Sequence, residues 1–136
     1  MKVVIDTNVL VSGLLSPYGP PGEIVRMVSS GVLSLCFDAR ILSEYTEVLR
    51  RPKFSFRAEE IEALLEQIQS KGRVVASVPL TRRLADPYDE AFLEVALAGK
   101  VGMLVTGNLK HYPSSLHSVK VVSPAVFLEN YRKQKT

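Results

Sequence analysis

Short apolar, β-branched runs alternate with stretches of helical periodicity along this chain, and that alternation limits it to one fold class. Lys2 to Asp6, Leu33 to Asp38, Val74 to Val78, Met103 to Thr106 and Val119 to Val122 read as strands. Helical patterns fill the spaces: Asn8 to Leu15, Glu23 to Ser30, Ala39 to Arg51, Ala58 to Lys71, Pro87 to Lys100 and Pro124 to Lys133. The clearest is Ala58 to Lys71, where Ile61, Leu64, Leu65 and Ile68 recur at helical spacing and Gly72 closes the run. Ser16 to Gly22, rich in proline and glycine, reads as a loop. Strands separated by helices pair in parallel, because a parallel connection needs a long crossover. The expected fold is therefore α/β, with helices on both faces of a mainly parallel sheet of about five strands. No repeat, low-complexity tract or linker divides the 136 residues, so one domain over 1–136 is expected.

Composition narrows the class further. A hydrophobic fraction of 46% against 23% charged residues fits a folded chain and not a disordered one. The net charge of +3 is compatible with a polyanionic partner but does not demonstrate one. The basic residues cluster at Arg50, Arg51, Lys53 and Arg57, at Arg82 and Arg83, at Lys110 and His111, and at Arg132, Lys133 and Lys135. Each cluster reads first as solvated surface and second as a set of phosphate contacts. A single cysteine, Cys36, excludes an intrachain disulfide framework and fits a reducing, cytoplasmic setting; inside an apolar run it acts as a small hydrophobe. No segment is long and apolar enough to span a bilayer, and Met1 to Leu15 carries Asp6 in its apolar part, unlike a signal peptide.

The acids carry the chemistry. Asp6 ends the first strand, at the sheet edge where open α/β folds bind ligands. In the helix Ala39 to Arg51 the apolar stripe is Ile41, Leu42, Tyr45, Val48 and Leu49; Glu47 lies opposite it, and Glu44 lies on its flank, within reach of the sheet edge. In Pro87 to Lys100 the stripe includes Phe92, Leu93 and Ala96, and Asp89 falls within it, while Glu90 and Glu94 fall on or near the polar side. Asp86 reads as an N-cap before Pro87. From this helix alone, Asp89 reads equally as a dipole-compensating acid and as a site residue. Asn108, after Val105-Thr106-Gly107, reads alone as a turn residue and beside Asp6 as a polar group over the same edge. Gathered together, Asp6, Glu44 and Asp89 would repel one another unless a cation held them. Oxygen ligands without matching His or Cys favour Mg²⁺ or Mn²⁺, and such ions suit hydrolysis of a phosphodiester.

These segments resemble the PIN-domain family. The resemblance rests on Val4-Ile5-Asp6-Thr7-Asn8-Val9-Leu10, on Ser43-Glu44, on Asp86-Pro87-Tyr88-Asp89-Glu90-Ala91-Phe92-Leu93, and on Val105-Thr106-Gly107-Asn108-Leu109-Lys110-His111-Tyr112-Pro113, in that order over almost the whole chain. It is nearest to the compact bacterial and archaeal branch described as toxins of toxin–antitoxin pairs. It implies a three-layer α/β/α sandwich and a metal-dependent nuclease that cuts single-stranded RNA. By position it makes Asp6, Glu44 and Asp89 the metal-binding acids, with Asp86 a helper beside them. Thr7, Asn8 and Thr106 would orient carboxylates by hydrogen bonds. It also implies a homodimer and a cognate antitoxin. One departure stands out: the position after Thr-Gly is often Asp in the family and is Asn108 here. Asn offers a carbonyl oxygen or holds a water, but supplies neither charge nor a base, which favours one metal over two. Arg50, Arg51, Lys53, Arg82, Arg83 and Lys110 are the candidate phosphate contacts, and Tyr18 and Tyr112 are candidates for base stacking or local packing.

Other readings are weaker. A phosphatase of the haloacid-dehalogenase type needs a second Asp two residues after the first, where this chain has Asn8. A response-regulator receiver needs a phosphoacceptor Asp after the third strand, where Val78-Pro79-Leu80 stands. A non-catalytic nucleic-acid-binding module stays open through Asn108.

Overall fold

The structure is a computed structural model that describes residues 1–81, 83–113 and 118–135. Five strands, β1 (Lys2–Ile5), β2 (Ser34–Phe37), β3 (Arg73–Val74), β4 (Met103–Val105) and β5 (Lys120–Val122), form one sheet in the order β3-β2-β1-β4-β5. Every pairing is parallel. The helices are α1 (Thr7–Leu15), α2 (Pro20–Ser29), α3 (Ala39–Leu49), α4 (Ala58–Lys71), α5 (Pro87–Ala98) and α6 (Pro124–Lys135). The architecture is the expected α/β/α sandwich, with a sheet that is wholly parallel.

Central parallel strands are covered on both faces, so their side chains are apolar on both. Val3, Val4 and Ile5 of β1 are 0% exposed, and Leu35, Cys36 and Phe37 of β2 are buried beside them. Register sets Ile5 of β1 opposite Val105 of β4 and Val3 opposite Leu35 of β2. The chain runs outward from β1 to β2 and β3, then returns across the sheet through α5 to β4 on the other side of β1. Right-handed crossovers in opposite directions place their helices on opposite faces. Accordingly α5 packs on β1, β2 and β4, while α2 packs against α4 and α6. The reversal opens a crevice beyond the carboxyl ends of β1 and β4, the topological switch point.

Two boundaries differ from the sequence expectation by more than two residues. The Pro-Pro pair opens α2 instead of belonging to the loop: Gly19 is the N-cap, and Pro20 and Pro21 fill the first helical positions, where a missing N–H costs nothing. There α1 and α2 meet closely; a Cβ on Gly13 would stand 2.5 Å from Pro21 O, and one on Gly22 2.1 Å from Pro17 O. The third strand is Arg73–Val74 and not Val74 to Val78. Both its residues are exposed at the sheet edge, and the chain then leaves toward α5.

Candidate active site

Asp6 follows β1 directly and caps the start of α1. Its amide donates to Val105 O at 2.9 Å, which locks it to the end of β4. The side chain is only 6% exposed. Its Oδ2 accepts from Thr106 Oγ1 at 2.9 Å and from Tyr112 OH at 3.1 Å. Burial raises the Asp6 pKa; the two hydroxyls and the amides of Asn8 and Thr7 oppose the rise without cancelling it. The Tyr112 phenol is itself pushed far up by burial and by the acids around it, so it stays a donor.

Glu44 lies half-buried on α3, on the flank the helical wheel assigned to it. Thr7 Oγ1 donates to its Oε2. Its pKa is raised by burial first and then by repulsion from Asp6 and Asp86. The α3 helix is set in place by Asp38, whose Oδ1 accepts from Ile41 N at 3.0 Å, and by buried Tyr45, whose hydroxyl donates to Ile5 O at the end of β1.

Asp86 caps α5, accepting from Tyr88 N at 3.0 Å, and Asp89 follows one turn in. Asp89 is 6% exposed, and its pKa is raised to about 6, chiefly by burial and then by Asp6 and Asp86, with only His111 pulling the other way. His111 Nδ1 stands 3.1 Å from Asp89 Oδ2, but the approach is not aligned as a hydrogen bond, and that buried oxygen has no hydrogen-bond partner among the described residues.

Asp6, Glu44, Asp86, Asp89 and Asn108 line one cleft of about 980 Å³, together with Thr7, Asn8 and His111. Within it, among the described residues, Asp86, Asp89 and His111 bring potential ligand atoms within 4.8 Å of one another. Asp6 and Glu44 flank that set. The donors fit a divalent cation: three carboxyls with raised pKa values share a cleft, and a buried carboxylate oxygen has no hydrogen bond among the described residues.

The supporting residues divide differently from the expectation. Thr7 and Thr106 do hold carboxylates. Asn8 does so only through its backbone amide, which bonds Asp6; its side-chain Oδ1 accepts Gly107 N at 2.9 Å and fixes the loop after β4. Asn108 gives its amide to Thr106 Oγ1 at 3.0 Å and is exposed at the cleft.

Glu90 and Glu94 are corrections, since both are buried and not on a polar face. The chain before α5 folds over them: Glu90 accepts from Leu84 N and pairs with Arg83, and Glu94 accepts from Leu80 N and pairs with Arg40. Sequence reasoning also missed His111, grouped with surface cations, and the role of Tyr112, which is buried against Asp6 and not free to stack. Tyr18 is 99% exposed.

Of the candidate phosphate contacts, Arg51 lines the cleft and pairs with Glu47, and Lys53 lies 5.1 Å from the Phe54 ring centre. Arg83 is tied to Glu90, Arg50 and Lys110 are exposed, and Arg82 lies outside the described residues. Among the described residues no helix is long and apolar enough to cross a membrane.

The sequence is 26% identical to an uncharacterized protein of Methanocaldococcus jannaschii, an alignment that covers 98% of this chain and 93% of that one. The sequence profile described as PIN domain matches residues 2–110, a span that holds every strand but β5, all the cleft acids and the Thr106-Gly107-Asn108 turn. On that match, and on a parallel sheet whose switch point gathers the acids, this chain belongs to the PIN-domain family.

Proposed function

We propose that this chain is a divalent-metal-dependent endoribonuclease of a single domain over residues 1–136, acting on single-stranded RNA as the toxin of a toxin–antitoxin pair. The observation that carries the reading is Asp89 Oδ2, buried and without a hydrogen-bond partner among the described residues, in a cleft shared with Asp6 and Glu44. Acids held this way are costly until a cation balances them. Asp6, Glu44 and Asp89 would hold Mg²⁺ or Mn²⁺, with Asn108 adding a neutral oxygen. When bound, the ion supplies charge that polarises a phosphodiester and eases proton loss from water.

The protein's own groups do the rest. Thr106 and Tyr112 aim Asp6 and favour its ionised form against the effect of burial, and Thr7 does the same for Glu44. Arg51, which lines the cleft, would meet phosphates together with Arg50, Lys53, Arg83 and Lys110, and the sequence offers Arg82 as a further cation. The choice of RNA, a homodimeric state, an antitoxin partner and a cytoplasmic site all rest on family likeness. Buried, free Cys36 agrees with a reducing compartment.

A second reading, a nucleic-acid-binding module with little catalysis, draws on Asn108, which leaves the cleft one charge poorer than an Asp would. The test is cleavage of an end-labelled single-stranded RNA, its duplex and the matching DNA, with Mn²⁺ or with chelator. The proposal expects Mn²⁺-dependent cuts in single-stranded RNA that Asp6→Asn abolishes. Binding without cleavage by the wild-type protein would favour the second reading.

A further inference from the structure

The metal-capable group that the described residues of the cleft bring together is not the oxygen-only set expected from the sequence. It is Asp86, Asp89 and His111, two carboxylates and an imidazole. The acids come from the start of α5, and His111 comes from the short 3-10 turn Leu109–His111 after β4. Two elements far apart in sequence thus converge on one point beside the switch crevice.

Two further observations point to a ligand there. Asp89 is 6% exposed, and its Oδ2, on the side facing His111, has no hydrogen-bond partner among the described residues. His111 Nδ1 lies 3.1 Å from that oxygen without the alignment of a hydrogen bond. Two donors bound about 2.1 Å from one ion at the right angle of octahedral geometry stand about 3.0 Å apart. The observed spacing fits neighbouring ligands on a shared ion. Asp86 spends Oδ1 on its cap, and a carboxylate has a second oxygen to offer. The His111 side chain is 46% exposed, so the group is open to ions from solvent.

The geometry points to a mixed nitrogen–oxygen site at Asp86, Asp89 and His111 that takes a borderline first-row ion (Mn²⁺, Co²⁺, Ni²⁺ or Zn²⁺) ahead of Mg²⁺. Imidazole suits those ions, whereas Mg²⁺ prefers oxygen ligands and sheds water reluctantly. The inference rests on the proposed metal dependence for the use of Asp89. It adds two ligands and makes His111 the residue that sets which cation the cleft prefers.

The experiment is calorimetric titration of metal-free full-length protein with Co²⁺ and, separately, Mg²⁺, with Co²⁺ binding followed in parallel by visible absorption. Wild type is compared with His111→Ala and His111→Gln, each checked for cooperative melting. Wild type is expected to bind Co²⁺ more tightly than Mg²⁺. Both variants should lose about tenfold or more in Co²⁺ affinity and change the Co²⁺ spectrum, with Mg²⁺ affinity nearly unmoved. Wild-type Co²⁺ affinity in both variants would overturn the inference and leave the metal-dependent reading standing. Equal affinity for Co²⁺ and Mg²⁺ in the wild type would overturn it too. If the wild type binds neither ion, both readings fall together.

Discussion

Thr106 Oγ1 donates to Asp6 Oδ2 at 2.9 Å across 100 residues of sequence, and the same oxygen accepts the Asn108 amide at 3.0 Å. One hydroxyl therefore ties the end of β1 to the end of β4 and shapes the turn that follows. Thr106 is 0% exposed, so its hydroxyl has no water to turn to instead. Thr106→Val keeps the shape and removes both bonds. It should cost about 1–3 kcal/mol in urea unfolding, because a buried carboxylate and an amide lose a partner. Mn²⁺ affinity should fall by about tenfold or more, as when other ligand-orienting groups are removed. Thr106→Ser should recover most of both. A Val variant with wild-type stability and affinity would show that the hydroxyl orients nothing.

Glu94 straps down the chain that leads into α5. Its Oε2 accepts Leu80 N at 3.1 Å and its Oε1 lies 2.7 Å from Arg40 Nη1. Arg40 is half-exposed, so the ion pair contributes little and the lost amide bond dominates. Glu94→Ala should cost about 1–3 kcal/mol. It should also open a new protease site between Val78 and Asp86, read by limited proteolysis and mass spectrometry. An unchanged digestion pattern would mean that the strap does not hold this segment.

The raised carboxyl pKa values set a pH dependence. A carboxyl whose pKa is higher folded than unfolded holds its proton more tightly in the folded state, so ionising it favours unfolding. For Asp89 the rise is from 3.8 to about 6, and Asp6 and Glu44 shift the same way. Their contribution is fully present below the unfolded value and is lost as pH climbs through the folded one. Melting of metal-free protein across that window, compared with Asp89→Asn, should show the wild type losing ground as pH rises through about 6. Mn²⁺ should remove that slope, since it competes with the proton. A wild type that gains on the variant over the same window would contradict the assignment.

Much of this was legible in the sequence, and the gaps have physical causes. The continuous burial of Val3, Val4 and Ile5 follows from a β-branched run, and the flank position of Glu44 follows from helical angles. The length of β3 did not follow, because propensity does not report that a run lies at a sheet edge with a neighbour on one side only. Glu90 and Glu94 were misplaced because a helical wheel cannot see a preceding loop fold back and supply partners. His111 and Tyr112 lie in and just after a single 3-10 turn, where no periodicity exists to aim a side chain. A histidine three residues after Asn108 and a buried tyrosine beside it became site residues only through tertiary approach to Asp89 and Asp6.

The most direct test of the central claim, that the acids at the switch point are arranged to hold a divalent ion, is the melting temperature of wild type and Asp89→Asn at about pH 7, each with and without millimolar Mn²⁺. Asp89 places a buried carboxylate oxygen, without a hydrogen bond among the described residues, next to like charges, so the metal-free Asn variant should melt above the metal-free wild type. Mn²⁺ should raise the wild type by binding its native state and leave the variant nearly unmoved. A wild type that ignores Mn²⁺, or a variant that responds to it as fully as the wild type, would contradict the account.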